Sequence, residues 1–425
     1  MALDGIEKVR LRGGSAGQGR LCRVRFEGRQ GDQQVSVQVK PGFIEKVKKF
    51  GAFDISACFN CGTCTAVCPL SKDDTTFPRR IIRYAQIGAE ELMISSKELW
   101  LCYYCGECSD TCPRQAEPGE FMASARRYAI SSFEPLGVAR LLYTSKLFTT
   151  VFMAFLTIIF GVIMLSKSGP MIFEKPSFFS TDKLQGFIPF EVIHTTGIIV
   201  IILAAIAAFV GIGMMTKKVS AGVKLPSREK KESDRGIFAR FWSAVKYVIE
   251  EMTLENRYRD CEEEPKTPWY RARWFVHWSI MWGFIGLGTA TALDYIILLT
   301  VGKDPGQPVP LWNPPRLLGT LAGILLVYGT SLALAWRYKK VDKYHSHSLS
   351  SDWLFLWLMF LAGITGFALE IAIYLPRGTV WGYMVFLIHV ILGMEIVFIL
   401  PFSKFAHAVY RPLALFIHAF LSDSV

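Results

Sequence analysis

The chain has 425 residues, 51% of them hydrophobic, and a formal net charge of +11 at pH 7. Its mean hydropathy of +0.30 is high for a soluble protein, and the apolar residues crowd into blocks after about residue 147. These values exclude an ordinary soluble domain. The positive charge does not indicate nucleic-acid binding, because Lys and Arg gather on the cytoplasmic loops of membrane proteins. We therefore predict a membrane protein with a soluble front end.

The first 45 residues are glycine-rich and basic and are predicted to form an N-terminal extension. They contain no apolar stretch after Met1, so we expect no signal peptide and a front end that stays in the cytoplasm. Valines alternate with polar residues from Val35 to Val39, which predicts a strand. Residues 21–26 are its expected hairpin partner, with the turn near Gly31.

Two cysteine runs follow, each with the spacing C-x2-C-x2-C-x3-C-P that is typical of bacterial two-cluster ferredoxins. Three cysteines on a tight turn can offer three thiolates to one iron–sulfur cube. The fourth cysteine precedes a proline that redirects the chain, so it can reach a second cube. We therefore predict two [4Fe–4S] clusters that exchange their fourth ligands. The expected ligands are Cys58, Cys61, Cys64 and Cys112 for one cluster and Cys102, Cys105, Cys108 and Cys68 for the other.

Zinc sites or disulfides are the alternatives for so many cysteines. Zinc sites use four ligands, usually as two pairs, and leave no use for a triplet plus one. The cysteine usage favours a reducing compartment, where thiolates stay free for metal. Cys22 and Cys261 lie outside both runs and are expected to be bystanders.

Residues 46–140 are predicted to form a helical ferredoxin domain around the two runs. Apolar spacing indicates one helix from Phe77 to Leu92 and another from Gly119 to Ser132. The domain is basic through Arg79, Arg80, Arg83, Arg126 and Arg127. A solvated surface and a docking face for an acidic redox partner are the two interpretations of these arginines.

Six apolar stretches are long enough to span a bilayer, which takes about 20 residues. They fall near 147–166, 190–215, 274–299, 316–336, 353–374 and 380–401. Loops on the side of the cysteine runs carry most of the Lys and Arg residues, as the positive-inside rule requires. Residues 141–425 are thus predicted to form a six-span domain in the cytoplasmic (inner) membrane, with the iron–sulfur domain and the C-terminus inside. An amphipathic helix near 236–256 is expected on the inner surface or against a partner.

Four histidines lie in or at the ends of these stretches: His194, His277, His389 and His407. Ionisable side chains there are costly and indicate function, and neutral imidazole is an axial ligand of haem iron. His277 and His407 fall at inner helix ends and could hold an inner haem b. His194 and His389 fall in the outer half and could hold an outer one. His345, His347 and His418 are expected on polar surfaces.

The spacing of His389 and His407 suggests that one helix serves both haems. Eighteen residues are five helical turns and about 27 Å, which is close to the thickness of the bilayer core. Pro401 lies between them and should bend that helix.

Other polar groups near the spans have two interpretations each. Lys303, Arg316 and Arg377 could polarise a quinone oxygen or anchor the chain at the interface. Glu370 and Glu395 could relay protons or bond a neighbouring helix.

The segment from His389 to His407, which includes Gly393, Met394 and Pro401, strongly resembles the last helix of respiratory nitrate reductase gamma subunits. That resemblance implies His389 and His407 as haem b ligands, with quinol oxidised near the outer haem. His277 is similar to the histidine that completes the inner haem in that family. The second histidine of the family, ten residues later, is replaced here by Leu287, and His194 is the candidate in its place.

The front half resembles the small iron–sulfur (C) subunit of heterodisulfide reductase. Its fusion to a gamma-like membrane half resembles the QmoC family, the membrane subunits of the quinone-interacting membrane-bound oxidoreductase complex. The resemblance covers the chain from about residue 40. It implies electron transfer between menaquinone and soluble QmoA-like and QmoB-like flavin and iron–sulfur subunits, which serve adenylylsulfate reductase in dissimilatory sulfur metabolism.

The predicted fold is an all-α membrane protein, with an N-terminal α-helical ferredoxin domain followed by a six-helix transmembrane haem b bundle. The predicted function is that of a quinone-linked oxidoreductase subunit. The alternatives are the membrane subunit of a heterodisulfide reductase-like complex, a membrane anchor whose haem is only structural, and a redox-driven ion pump. The sequence lacks the paired cysteines of a disulfide-cleaving cluster, and two acids within the spans are few for a pump.

Overall fold

A computed structural model describes residues 22–25, 36–71, 76–171, 186–223, 236–260, 268–301, 310–341, 347–373 and 380–421. In these ranges the chain is predominantly α-helical. The two strands are β1 (Cys22–Arg25) and β2 (Ser36–Val39). The first helices are α1 (Phe43–Lys48), α2 (Thr63–Ala66), α3 (Arg79–Ile87), α4 (Glu90–Ile94), α5 (Glu98–Leu101), α6 (Glu107–Asp110), α7 (Pro118–Ser132) and α8 (Val138–Thr144).

Most of the later helices are longer, as apolar blocks of this length predict. They are α9 (Lys146–Leu165), α10 (Phe190–Val223), α11 (Ile237–Leu254), α12 (Asn256–Asp260), α13 (Arg273–Val301), α14 (Pro314–Lys339), α15 (Ser350–Ile373), α16 (Val380–Ile399) and α17 (His407–Leu421).

The chain divides into two compact units. The cysteine unit comprises Met1–Arg140, Val210–Cys261 and His407–Val425. The span unit comprises Leu141–Phe209 and Glu262–Ala406. The cysteine unit thus includes later parts of the chain as well as its front. The domain limits expected from the sequence, 46–140 and 141–425, stay predictions.

The hairpin predicted near the start of the chain is confirmed. β1 and β2 pair antiparallel, with Cys22 opposite Val39 and Arg25 opposite Ser36. The predicted turn near Gly31 lies outside the described residues.

The helix predicted from Phe77 to Leu92 is two helices in the structure, because α3 ends at Ile87 with Gly88 as its C-cap and α4 starts at Glu90. Gly88 has φ +79°, and a Cβ there would lie 2.3 Å from the carbonyl oxygen of Lys40. Only glycine fits this left-handed position against a neighbouring backbone. The predicted helix after the second cysteine run is confirmed as α7, and its buried face includes Phe121 and Ala125.

The amphipathic helix expected near 236–256 is α11. One side of it packs on α17, where the rings of Phe241 and Phe416 lie 5.5 Å apart. There Arg240 Nη2 also donates to the carbonyl of Phe420 at 2.5 Å. Another side stays exposed, with Ile237 77% and Phe238 74% accessible. Such an apolar exposed face is typical of a helix at a membrane surface.

The span unit and the adjoining part of α10 contain the six predicted candidate membrane spans. The candidate spans are Lys146–Leu165, Phe190–Ser220, Arg273–Val301, Pro314–Lys339, Ser350–Ala372 and Val380–Phe402. α13 and α14 approach closely because small residues face each other. A Cβ at Gly283 would lie 2.7 Å from the backbone nitrogen of Leu326. Small residues allow backbones to approach in lipid, where helices gain nothing by hiding apolar surface from water.

The prediction that one helix carries both His389 and His407 is wrong. α16 ends at Ile399, and two short 3-10 turns separate it from α17, which begins at His407. Pro401 lies in the first turn and has no N–H to continue the helix. Ser403 then takes an extended conformation, with φ −119° and ψ −168°. The expected separation of about 27 Å along one straight helix therefore does not apply.

Candidate functional site

The two cysteine runs fold into the same backbone turn. Asn60 and Tyr104, each just before the second cysteine, have φ of 61° and 59°. Gly62 and Gly106, each just after it, have φ of 96° and 100°. Both runs then enter a short helix, α2 in the first and α6 in the second. A chain that curls this tightly turns its cysteine side chains towards a common centre.

Four thiols gather around the first run. Burial raises the pKa of Cys64, and the neighbouring thiolates of Cys58, Cys61 and Cys112 raise it further. Like charges act on one another in this way only at short range. The fourth member comes from the second run, as the exchanged ligand set requires.

The other thiols gather around the second run. Burial raises the pKa of Cys68 to about 12, and the thiolates of Cys102 and Cys105 raise it further. Burial also raises the pKa of Cys108, with further contributions from Cys102, Cys105 and Cys68 and a smaller one from Cys64 of the other group. The grouping fits the exchanged ligand sets, whose residue assignments stay predictions.

The donor chemistry fits two [4Fe–4S] clusters. Each group offers four thiols, which are the ligands such clusters use. Within the described ranges, no three His, Cys, Asp or Glu side chains lie close enough to share one metal ion. A cube of four irons binds one thiolate per iron, so its ligands are spread more widely than those of a single ion.

Hydrogen bonds to sulfur hold the thiols in place. The backbone nitrogen of Tyr104 donates to Cys102 Sγ, and that of Ala116 donates to Cys112 Sγ, each at 3.4 Å. Cys61 Sγ lies 3.3 Å from Thr63 Oγ1, and this contact lowers the pKa of Cys61. Donors of this kind stabilise thiolate and tune a bound cluster.

The two turns differ in what binds the carbonyl of the first cysteine. The Cys58 carbonyl accepts from Gln86 Nε2 at 2.9 Å. The Cys102 carbonyl accepts from Arg126 Nη1 at 3.1 Å and from Arg411 Nη1 at 3.4 Å. One site therefore has a neutral amide where the other has two guanidinium groups.

The helix that begins at His407 packs against the second cysteine run. The Trp100 ring, two residues before Cys102, lies 6.2 Å from the His407 ring with a 27° interplanar angle. Trp100 is fully buried and also meets Tyr410 edge-on at 5.7 Å. From the same helix, the Arg411 guanidinium lies 3.7 Å from the centre of the Tyr103 ring.

His389 has a defined hydrogen bond within the span unit. Its Nδ1 lies 2.8 Å from Thr365 Oγ1. That hydroxyl donates to the carbonyl of Leu361 at 2.7 Å. A threonine hydroxyl has one proton, so it accepts from an Nδ1–H of His389. The other ring nitrogen, Nε2, then carries the lone pair that binds metal.

His194 has other partners. Its Nε2 lies 2.7 Å from the Tyr295 hydroxyl, and its ring stacks on Phe190 at 5.3 Å. His194 and His389 are therefore engaged by different groups, and an iron bond from His194 Nε2 would replace its bond to Tyr295. The outer haem pair stays a prediction.

His277 lies on α13 and is exposed. It belongs to the span unit, whereas His407 belongs to the cysteine unit. The inner haem pair stays a prediction as well.

The acids and Arg316 bond neighbouring helices. Arg316 Nη2 on α14 pairs with Glu370 on α15 at 3.0 Å. Thr157 on α9 donates to Glu395 on α16 at 2.5 Å. Of the two interpretations made from sequence, the helix-to-helix bond is the one observed for both acids. Lys303, Arg377, His345 and Cys261 lie outside the described residues.

Three residues of the site, Gln86, Trp100 and Arg411, were not predicted from the sequence. Arg411 follows His407 by four residues, which places both on one face of a helix. That spacing was the available signal. Nothing local marks Gln86 or Trp100, because their partners are distant in the chain.

A helical unit with two groups of four thiols, in a chain with six candidate membrane spans, defines a multi-pass iron–sulfur electron-transfer protein. The chain belongs to the family described as Citrate utilization protein B, which matches residues 155–424. Residues 54–116 match a family described as 4Fe-4S dicluster domain. The front of the chain therefore carries iron–sulfur clusters.

Relatives of both halves belong to redox complexes. The chain is 25% identical over 254 residues to the E subunit of the dihydromethanophenazine:CoB–CoM heterodisulfide reductase of Methanosarcina mazei, covering 53% of this chain and 94% of that protein. It is 41% identical over 59 residues to the C subunit of the H2:CoB–CoM heterodisulfide,ferredoxin reductase of Methanothermobacter thermautotrophicus, covering 14% of this chain and 32% of that protein.

A third relative is citrate utilization protein B of Escherichia coli, 30% identical over 139 residues, or 32% of this chain and 34% of that protein. The matches to the Methanothermobacter and Escherichia coli proteins thus span only about a third of those relatives. Together the similarities show a membrane electron-transfer subunit.

Proposed function

We propose that the chain carries electrons between the menaquinone pool and soluble QmoA-like and QmoB-like subunits, which feed adenylylsulfate reductase. It does so in the cytoplasmic membrane, with the cysteine unit on the cytoplasmic side. Haem b, in one or two copies, and the two [4Fe–4S] clusters supply one-electron transfer when bound. The chain supplies their ligands, their burial and their orientation.

The observation that carries this proposal is the packing of α17 on the second cysteine run. The proposed haem ligand His407 stacks near Trp100, and Arg411 of the same helix reaches the carbonyl of Cys102. The residues proposed as a haem ligand and a cluster ligand, His407 and Cys102, are thus joined by contacts within one compact unit. Such proximity is what electron exchange between two bound cofactors needs.

The surroundings of His389 support its role as a haem ligand. Thr365 holds the Nδ1–H and leaves Nε2 for iron, which is how outer hydrogen bonds orient ligand histidines. Gly366 allows the ring to approach, since a Cβ there would lie 3.3 Å from His389 Cε1. A larger residue at that position would press on the ring.

The experiment is reduction of the purified chain by a menaquinol analogue, followed by the haem absorption bands and the electron paramagnetic resonance (EPR) of the clusters. We expect both to become reduced. His407→Ala should lose the inner haem. His418→Ala is the matched control, on the same helix but not proposed as a ligand, and should keep the haem. A purified chain without haem absorption bands, or one whose haem is not reduced by the menaquinol analogue, would contradict the proposal.

A second candidate is the membrane subunit of a heterodisulfide reductase-like complex. The similarity to the Methanosarcina mazei protein over 94% of its length favours it. The two candidates differ in the lipid-soluble donor and in the partner. Isolation of the complex under mild detergent separates them, because preferential reduction by a dihydrophenazine and co-purifying disulfide reduction would favour the second candidate. If neither donor reduces the haem, the remaining interpretation is a membrane anchor whose haem is only structural.

A further inference from the structure

We infer that Arg126 and Arg411 make the cluster at the second cysteine run the higher-potential member of the pair. This inference rests on the proposed function, because it takes two [4Fe–4S] clusters as given. The cluster at the second run is then reduced first, and the cluster at the first run has the lower reduction potential.

The two sites form an internal comparison. Their turns have matching backbone angles at Asn60 and Tyr104 and at Gly62 and Gly106. In each, the carbonyl of the first cysteine accepts a hydrogen bond from the helix that follows its run. The donor is Gln86 on α3 at 2.9 Å in one and Arg126 on α7 at 3.1 Å in the other. The two sites therefore share a backbone geometry and differ in the charge of the side chain that donates to this carbonyl.

The second site gains a further cation from α17. Arg411 Nη1 reaches the Cys102 carbonyl at 3.4 Å, and its Nη2 is buried without a hydrogen-bond partner among the described groups. Burial raises the pKa of Cys102, and the charges of Arg126 and Arg411 oppose that rise because they favour the thiolate. Arginine stays charged in such surroundings.

Arg126 and its neighbour Arg127 differ in the charged groups that surround them. Arg127 pairs with Glu120 at 3.0 Å. Burial lowers the pKa of Arg126, and the charges of Arg411 and Arg127 lower it further, whereas Cys102 and Tyr104 raise it. The first site also has arginines nearby, but Arg79 and Arg83 are exposed, and solvent screens an exposed charge strongly.

The positive charge of the two arginines makes reduction of the nearby cluster more favourable. A cluster takes one electron from the membrane donor of the proposed function, and its core charge falls from 2+ to 1+. A fixed cation near the cluster stabilises the added negative charge, and the partly buried setting strengthens this effect. We expect roughly a tenfold change in the reduction equilibrium for one guanidinium, which is about 59 mV for a one-electron couple.

The test is an EPR-monitored redox titration of the full chain purified from membranes. Arg126→Gln copies the donor of the first site into the second. We expect the higher midpoint to fall by roughly 59 mV, a tenfold change for one electron, while the lower midpoint stays in place. Arg126→Lys keeps the charge and should largely restore the higher value. An unchanged higher midpoint in Arg126→Gln, or a shift confined to the lower one, overturns the inference.

A reciprocal variant at the first site tests the inference even if Arg126→Gln fails to fold. Gln86→Arg adds a cation at the first site and should raise the lower midpoint, and an unchanged lower midpoint counts against the inference. Arg411→Gln should lower the higher midpoint in the same direction as Arg126→Gln. Arg114→Gln is the control, because Arg114 is exposed two residues after Cys112. It should move neither midpoint.

Iron and acid-labile sulfide per chain separate this inference from the proposed function. Fewer than two clusters in the unmodified chain would overturn both. If two clusters are present and neither midpoint potential changes in Arg126→Gln, Gln86→Arg or Arg411→Gln, only the role of the arginines is overturned.

Discussion

At Cys58 and Cys102 the chain begins two turns whose shape depends on single residues. Gly62 and Gly106 hold φ near +100°, where a side chain would be strained. Asn60 and Tyr104 also adopt the left-handed region, which costs Tyr104 more than Asn60 because asparagine visits it readily. Strain of this kind is kept where a local function requires the geometry. In the proposed ligation, that function is to turn three thiols towards one cluster.

The exchanged ligation predicts which cysteine variants share a phenotype. Cys112→Ser should remove the same EPR signal as Cys58→Ser, because both residues would ligate one cluster. Cys68→Ser should instead match Cys102→Ser. Each variant should lose about four irons per chain, the content of one cube. EPR spectra and iron analysis of the four variants provide the measurement.

Cys261→Ser, outside both runs, is the control and should keep both signals. If Cys68→Ser removed the signal that Cys58→Ser removes, each run would supply its own four ligands, and the exchange would be disproved.

At the level of elements, the α13 and α14 pair shows how small residues determine packing in the span unit. Gly283 and Gly286 on α13 both face α14. A Cβ at either position would lie 2.7 Å from an atom of the partner helix. Gly329 on α14 likewise faces Ile280 Cγ1 at 2.7 Å. Backbones at this distance exclude any larger side chain.

Gly283→Val should therefore destabilise the protein by about 1–3 kcal/mol, the usual cost of overpacking a close contact. The matched control is Gly288→Val on the same helix, where a Cβ would meet nothing within 4 Å. Thermal unfolding in detergent measures both. Equal melting temperatures for the two variants would show that α13 and α14 do not pack as described.

At the level of the whole molecule, six candidate spans place successive loops on alternate sides of the membrane. In the proposed orientation the loop before α14 is outside, and the loop after it is inside with the cysteine runs. Leu311 and Val341 are exposed at 50% and 56%, one before and one after α14. Both positions can therefore report the side of the membrane on which they lie.

We expect Leu311→Cys to react with a membrane-impermeant maleimide in intact cells and Val341→Cys to react only after the cells are permeabilised. The native cysteines of the two runs should stay unlabelled in intact cells, because the proposed orientation places them on the inner side. Labelling of Val341→Cys without permeabilisation would reverse the proposed orientation.

Local regularities in the sequence were enough for the main features. The cysteine spacing predicted the iron–sulfur domain and the apolar blocks predicted six spans, because a ligand motif and a span are each formed by neighbouring residues. The hairpin and α7 followed from short periodicities for the same reason. The end of α3 at Gly88 did not, since it depends on the backbone of Lys40.

The tertiary structure alone decided which distant groups meet. It brought Arg411 to the second cysteine run and Gln86 to the first, His407 to Trp100, and Tyr295 to His194. It also ended α16 before His407, where the sequence analysis expected one continuous helix. These contacts join residues far apart in the chain, and their energy depends on the packing of whole helices. No local periodicity encodes such pairings, so they become visible only when the helices are assembled.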